Sequence, residues 1–161
     1  MTSTLSNQAS KLHIRNATLA DVPAITDLTT RVYAGTGMHG YSEGAVTGQI
    51  NNFPQGQFVI LVDEKVVGYC ATFRISEAIG LKAHSWAEIT GNGYASRHDP
   101  KGEWLYGMEV CVDPEYRGYR LGQRLYNERK KLAQSLNLKG IVFAGRLPTL
   151  AKRYKLSLIH I

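Results

Sequence analysis

The sequence predicts an α/β domain built on a mixed sheet. Three observations carry that expectation. Apolar residues recur at spacings of three and four over 18–33 and 121–136, but crowd into short runs over 58–62, 66–75, 104–112 and 139–144. The order that results is strand, helix, helix, three strands, helix, strand. The length of 161 residues suits one domain with a sizeable core and is too short for two.

Residues 11–16 alternate apolar and polar side chains as a short strand does. Over 18–33 the residues Leu19, Val22, Ile25, Leu28 and Val32 mark one face of a helix. Glycines between 35 and 40 break the chain, and 42–53 reads as a second, weaker helix ended by Pro54 and Gly56. The runs 58–62 and 66–75 flank the turn Asp63-Glu64-Lys65 and form an antiparallel hairpin. Periodicity is lost over 76–102, where Gly91, Asn92, Gly93, Asp99, Pro100 and Gly102 indicate a long loop or irregular passage of the kind that often carries function. A fourth strand follows at 104–112, then a helix over 121–136 with Leu121, Leu125, Leu132 and Leu136 facing inward, then a fifth strand at 139–144.

Hydrophobic content of 43% with 20% charged residues is ordinary for a globular chain. No stretch approaches the roughly 20 apolar residues of a membrane span. Residues 1–10 are polar and lack a basic start followed by an apolar block, so they read as a disordered lead-in, neither signal nor anchor. Cys70 and Cys111 each sit inside an apolar strand, which favours buried reduced thiols and fits the cytoplasm. The histidines at 13, 39, 84, 98 and 160 show no metal-ligand spacing, so no metal is expected and none is assigned to a site.

The net charge of +6 is compatible with a nucleic acid, an anionic membrane or a small polyanion as partner. Its placement favours the last. Arg117, Arg120, Arg124, Arg129, Lys130 and Lys131 cluster in one region that opens with a glycine-rich turn. Nucleic acid is disfavoured because no aromatic residues interleave with these charges to stack on bases.

In that region the strand end Val110-Cys111-Val112 leads through Asp113-Pro114-Glu115-Tyr116 into Arg117-Gly118-Tyr119-Arg120-Leu121-Gly122 and directly into a long amphipathic helix. The first N–H groups of a helix lack intrahelical partners and carry the positive end of its dipole, so the turn suits phosphates. A dinucleotide-binding turn is the nearest alternative. That turn usually follows the first strand of a parallel unit, with an acidic residue about 20 positions on. Here it follows the fourth strand, and position 142 is Val.

The turn resembles the coenzyme A motif of the GNAT acetyltransferases, which is Gln or Arg, two residues, Gly, one residue, then Gly or Ala. Arg117 and Gly122 occupy its ends, Val110 through Gly118 resembles the usual lead-in, and Arg120 departs from the pattern by standing at the middle glycine. The resemblance extends from Leu12 to about Pro148. It implies an α+β fold, a mostly antiparallel sheet flanked by helices, with the family's last two strands missing. It also implies acetyl-CoA as cosubstrate, without a metal, held by the backbone of Val110, Cys111 and Val112 and by Arg117, Gly118, Tyr119, Arg120, Leu121 and Gly122. An amine acceptor, a small molecule or a peptide, would attack the thioester directly. Glu109, in the fourth strand, is then the candidate base and Tyr154 the candidate acid toward the departing thiolate. Strand alternation places Glu109 and Cys111 opposite Met108 and Val110, and which face lines the cleft stays open. A nucleophilic role for Cys111 is disfavoured, since the family transfers acetyl groups without a covalent enzyme intermediate.

Within this superfamily, 88–147 resembles the GNAT domain that precedes a carbon-nitrogen hydrolase domain in two-domain proteins. The signals are Ile89-Thr90-Gly91-Asn92-Gly93-Tyr94, His98-Asp99-Pro100, Arg124-Leu125-Tyr126 and the run from Leu136 to Val142. A fused or associated hydrolase is therefore an expected partner, and a homodimer is compatible with the same reading. The expected organisation is a tail over 1–10, a C-terminally truncated GNAT domain over 11–154 and a tail over 155–161. The Leu-Ser-Leu-Ile-His-Ile ending either begins a sixth strand or resembles a translated sequencing adapter. Two functions stay open, an active N-acetyltransferase and a noncatalytic coenzyme A-binding or regulatory module serving a hydrolase.

Overall fold

A computed structural model describes residues 10–144. Tyr154, the boundary at 154 and the candidate sixth strand lie outside the described residues, as does nearly all of the expected N-terminal tail.

Five strands form one sheet in chain order: β1 (Leu12–Asn16), β2 (Phe58–Val62), β3 (Lys65–Ile75), β4 (Trp104–Val112) and β5 (Gly140–Phe143). Neighbours from β1 to β4 are antiparallel and β5 runs parallel to β4, so the sheet is mixed and mostly antiparallel as expected. The hairpin turn is one residue shorter than the sequence suggests. Asp63 and Glu64 both take positive φ, 47° and 65°, the two-residue geometry that matches strand twist, and Lys65 already belongs to β3.

The helices are α1 (Val22–Tyr33), α2 (Glu43–Asn52), α3 (Glu77–Gly80), α4 (Trp86–Thr90) and α5 (Leu121–Ser135). The expected helix start at 18 is corrected, because Leu19–Asp21 forms a 3₁₀ turn before α1. There the Asp21 carboxylate accepts the Thr18 N–H at 2.8 Å and binds the Arg15 guanidinium at 2.7 and 2.9 Å. Leu19 consequently leaves the inward face and is 53% exposed. Ser42 caps α2 by accepting the Ala45 N–H at 3.1 Å. The stretch 76–102, expected as loop, contains α3 and α4, each too short to show a helical period in sequence.

Ile25, Leu28, Val46 and Ile50 of α1 and α2 pack with Tyr69, Ala71 and Phe73 on one side of the sheet. Leu121 and Leu125 of α5 pack with Ile60, Val67 and Cys70 on the other. Each fully buried Leu or Ile stabilises the fold by about 1.5–3 kcal/mol. The inward stripe of α5 is Leu121, Leu125, Arg129 and Ala133, one residue every four, while Leu132 and Leu136 are only half-buried. No helix of the described residues is long and apolar enough to cross a membrane.

Candidate active site

β4 and β5 pair only from Trp104↔Gly140 to Gly107↔Phe143, after which β4 continues alone to Val112. Its pairing with β3 shifts between Ala71↔Glu109 and Thr72↔Gly107, leaving Met108 as a bulge. Where the two strands part, a cleft of about 1110 Å³ opens, lined among others by Tyr33, Tyr41, Trp86, Glu109, Val110 and Phe143.

The bulge decides the orientation that alternation left open. It turns Glu109 toward α1 and the segment after it, on the cleft, with only 8% of the residue exposed. Tyr33 donates its hydroxyl to Oε1 at 2.5 Å and Tyr41 donates to Oε2 at 2.9 Å. Burial pushes the Glu109 carboxyl above its ordinary range, and the two phenols, Arg129 and the Val110 backbone offset part of that rise. The indole N–H of Trp86 donates to the Met108 carbonyl at 3.2 Å, and the Trp86 ring lies 6.2 Å from that of Tyr41. Cys111 is buried in the core on the α1 side, and burial pushes its thiol well up, which disfavours a thiolate there.

The turn after β4 is anchored by Asp113, whose side chain is 1% exposed. Asp113 accepts the Glu115 N–H at 3.0 Å and an Arg31 Nη1 hydrogen at 2.5 Å, with Lys65 Nζ at 3.9 Å. Burial favours its neutral form, but Arg31, the Glu115 N–H and Lys65 outweigh that and hold the carboxyl below its usual range. The stability it contributes is therefore present above the ordinary Asp pKa and lost as pH falls through the depressed folded value. Removing Asp113 unties α1 from the turn. Asp113→Ala is expected to cost about 1–2 kcal/mol and to weaken coenzyme A binding, read by thermal melts with and without coenzyme A; an unchanged ligand-induced shift would show that Asp113 does not hold the turn.

Beyond this anchor Gly118 and Arg120 take φ of +94° and +56°. The first helical bond of α5 runs from the Arg124 N–H to the Arg120 carbonyl. Among the described residues, the N–H groups from Gly118 to Gln123 find no acceptor. A run of free N–H groups through left-handed positions makes a concave anion site. Arg120, at the middle glycine of the motif, adopts the left-handed conformation that glycine takes without strain, and it is exposed. Arg117, Arg120 and Arg124 are exposed around this turn. Two members of the expected basic cluster are elsewhere: Lys130 and Lys131 lie more than two helical turns further along α5, and Lys131 pairs with Glu128 at 3.4 Å. Arg129 is corrected outright. It is 2% exposed, donates from Nη2 to the Glu109 carbonyl at 2.6 Å and from Nε to Cys70 Sγ at 3.0 Å, and so belongs to the floor of the cleft and not to the turn before α5.

The structure thus brings Glu109 and Val110 to the cleft and Arg117 through Gly122 to an open helix N-terminus. Cys111 and Val112 side chains face the packed interior, so only their backbone is available to a ligand. Sequence reasoning missed Tyr33, Tyr41, Trp86 and Arg129. His84 was left unassigned but lines the cleft, its Nδ1 2.7 Å from the Lys82 carbonyl and Nε2 3.1 Å from the Tyr106 hydroxyl. Arg129 alone carried a signal, being a charge at the apolar spacing of Leu121 and Leu125.

Comparison with known proteins agrees with this fold. A Bacillus subtilis (strain 168) protein described as "Probable hydrolase YhcX" is 37% identical over 142 residues, covering 88% of this chain, which spans 27% of that protein's length. The loading GNATL domain of CurA from Lyngbya majuscula superposes with a TM-score of 0.76 at 19% identity, over 91% of this chain and 71% of that one. The GphF GNAT-like decarboxylase, solved with isobutyryl-CoA, gives 0.71 at 25% identity, over 90% and 72%. The profile of the acetyltransferase (GNAT) family matches residues 23–151, most of the sequence. The chain, with its splayed fourth and fifth strands and open turn before α5, belongs to the acetyltransferase (GNAT) family.

Proposed function

We propose that the chain is an acetyl-CoA-dependent N-acetyltransferase that acts on a primary amine by direct attack within a ternary complex. One observation carries the reading: a buried, cleft-facing carboxylate sits next to the bulge of β4, and past the end of that strand, unpaired with β5 beyond Gly107, the turn into α5 presents an open set of N–H groups. The N–H groups from Gly118 to Gln123, with Arg117, Arg120 and Arg124 around them, suit the pyrophosphate. The backbone of Val110, Cys111 and Val112 is the surface for the pantetheine arm.

Glu109 takes a proton from the acceptor ammonium, the freed amine forms the N–C bond, and as the C–S bond breaks to release the thiolate the nitrogen gives up its second proton to solvent. Tyr154 is the proposed proton source for that thiolate. A raised carboxyl pKa makes Glu109 a stronger base than an ordinary Glu while leaving it ionised once pH exceeds that value. The Tyr33 and Tyr41 hydroxyls stabilise the ionised form. Tyr33→Phe or Tyr41→Phe is therefore expected to raise the apparent pKa of the acidic limb of kcat/KM, and a limb at the wild-type position would show that the phenols do not tune Glu109.

A second reading, a noncatalytic coenzyme A-binding module of a carbon-nitrogen hydrolase protein, is favoured by the hydrolase-named relative, of which this chain spans about a quarter. Thiol release from acetyl-CoA with a panel of primary amines separates the two. Amine-dependent release supports the transferase, and binding without release supports the module.

A further inference from the structure

Arg129 is a buried cation for which the fold supplies no carboxylate: among the described residues none comes within ion-pair distance. Burying a guanidinium without compensation is costly, so its remaining partners matter. Nε is held by Cys70, a weak acceptor that burial keeps in the thiol form. Nη2 is held by the Glu109 carbonyl, and the Tyr126 ring lies 5.3 Å from the guanidinium carbon. No described residue accepts from Nη1. That nitrogen lies against Gly107, the last β4 residue paired with β5, where a Cβ built on the glycine would come within 2.7 Å of it. Gly107 thus leaves a slot for Nη1 at the vertex of the splay, and Gly107, Met108, Glu109, Val110 and Arg129 all line the cleft there.

We infer that Nη1 of Arg129 is a catalytic hydrogen-bond donor that receives the negative charge developing on the oxygen of the acyl thioester. The inference rests on the acyl-CoA reading of the cleft. Three features support it. The donor is charged, it is fixed in advance by Cys70, the Glu109 carbonyl and Tyr126, and it belongs to a side chain only 2% exposed, where such a donor is worth more than in open water. It also divides the labour at β4: Glu109 removes the amine proton from one side of the strand, and Arg129, beneath it, stabilises the oxyanion as the N–C bond forms. When the C–S bond breaks the oxygen returns to a carbonyl, and Arg129 ends the step unchanged.

The test is isotope-edited infrared spectroscopy of carbonyl-labelled acetyl-CoA bound to the protein, combined with single-turnover thiol release. In the wild-type protein the bound thioester carbonyl should absorb at lower frequency than free acetyl-CoA. Arg129→Gln should abolish most of that shift and slow thiol release about 100-fold, with coenzyme A affinity held within about threefold. The loss should be read on the plateau above the acidic limb, because Arg129 offsets part of the Glu109 rise and its removal moves that limb up, whereas a Glu109 variant removes the limb. Gly107→Ala keeps the guanidinium but pushes Nη1 from its slot, and should reproduce both effects if Arg129→Gln does not fold. Wild-type shift and rate in either folded variant overturn the inference, as does an unshifted carbonyl in wild type. Failure of the wild-type protein to bind acetyl-CoA overturns the acyl-CoA reading beneath it.

Discussion

Glu109→Gln is expected to lower amine-dependent thiol release at neutral pH by about 10²–10⁴-fold, the usual contribution of a positioned general base. Coenzyme A binding should be nearly unaffected, because the proposed phosphate site begins eight residues further along the chain, at Arg117. Stability should move in the opposite direction to activity. Burial raises the Glu109 pKa in the folded chain, so the folded state binds more protons than the unfolded one between the ordinary and the raised value. Its ionisation therefore costs stability as pH climbs through that window, and the cost is fully present above the raised pKa. The Gln variant should accordingly melt higher than wild type at neutral pH, with the gain vanishing below the ordinary Glu range. Melting curves across pH test this, and a Gln variant that melts lower at neutral pH would show that the ionised carboxylate is a net stabiliser. An unchanged pH–rate profile would remove Glu109 from the base role.

Gly122→Glu should abolish coenzyme A binding, a loss of at least about 100-fold in affinity, without unfolding the chain. A Cβ at Gly122 meets nothing within 4 Å, and its φ is not in the left-handed region, so the substitution is sterically free. A carboxylate in the first turn of α5 even complements the helix dipole. It also places a negative charge where the phosphates are proposed to sit. Gly122→Ala, which adds bulk without charge, should bind nearly as wild type. Calorimetric titration of both variants reads the difference, and wild-type affinity in Gly122→Glu would move the phosphate site elsewhere.

Much of the fold was legible because its signals are local. The bounds of β4 follow from the apolar run 104–112, and the open turn before α5 follows from glycines between a strand and a helix. What was hidden depends on partners distant in sequence. The Met108 bulge exists only in the register between β3 and β4, so alternation within β4 could not say which way Glu109 points. Tyr33 and Tyr41 lie 76 and 68 residues from the carboxylate they hold, in positions that read as a helix end and the residue after a glycine-rich break. Arg129 was counted with its surface neighbours because a basic residue is normally solvated. Its spacing from Leu125 was the contrary sign, and the missing side chain at Gly107 is what makes room for it.

The cleft between β4 and β5 and the turn before α5 are proposed to bind one acyl-coenzyme A. Calorimetric titration of the chain with coenzyme A over a series of salt concentrations tests it most directly. Saturable binding at one site per chain is expected, with affinity that falls as salt rises if the arginines and free N–H groups contact phosphate. Absence of saturable binding at low salt, in a chain shown to be folded by its melting transition, would contradict it.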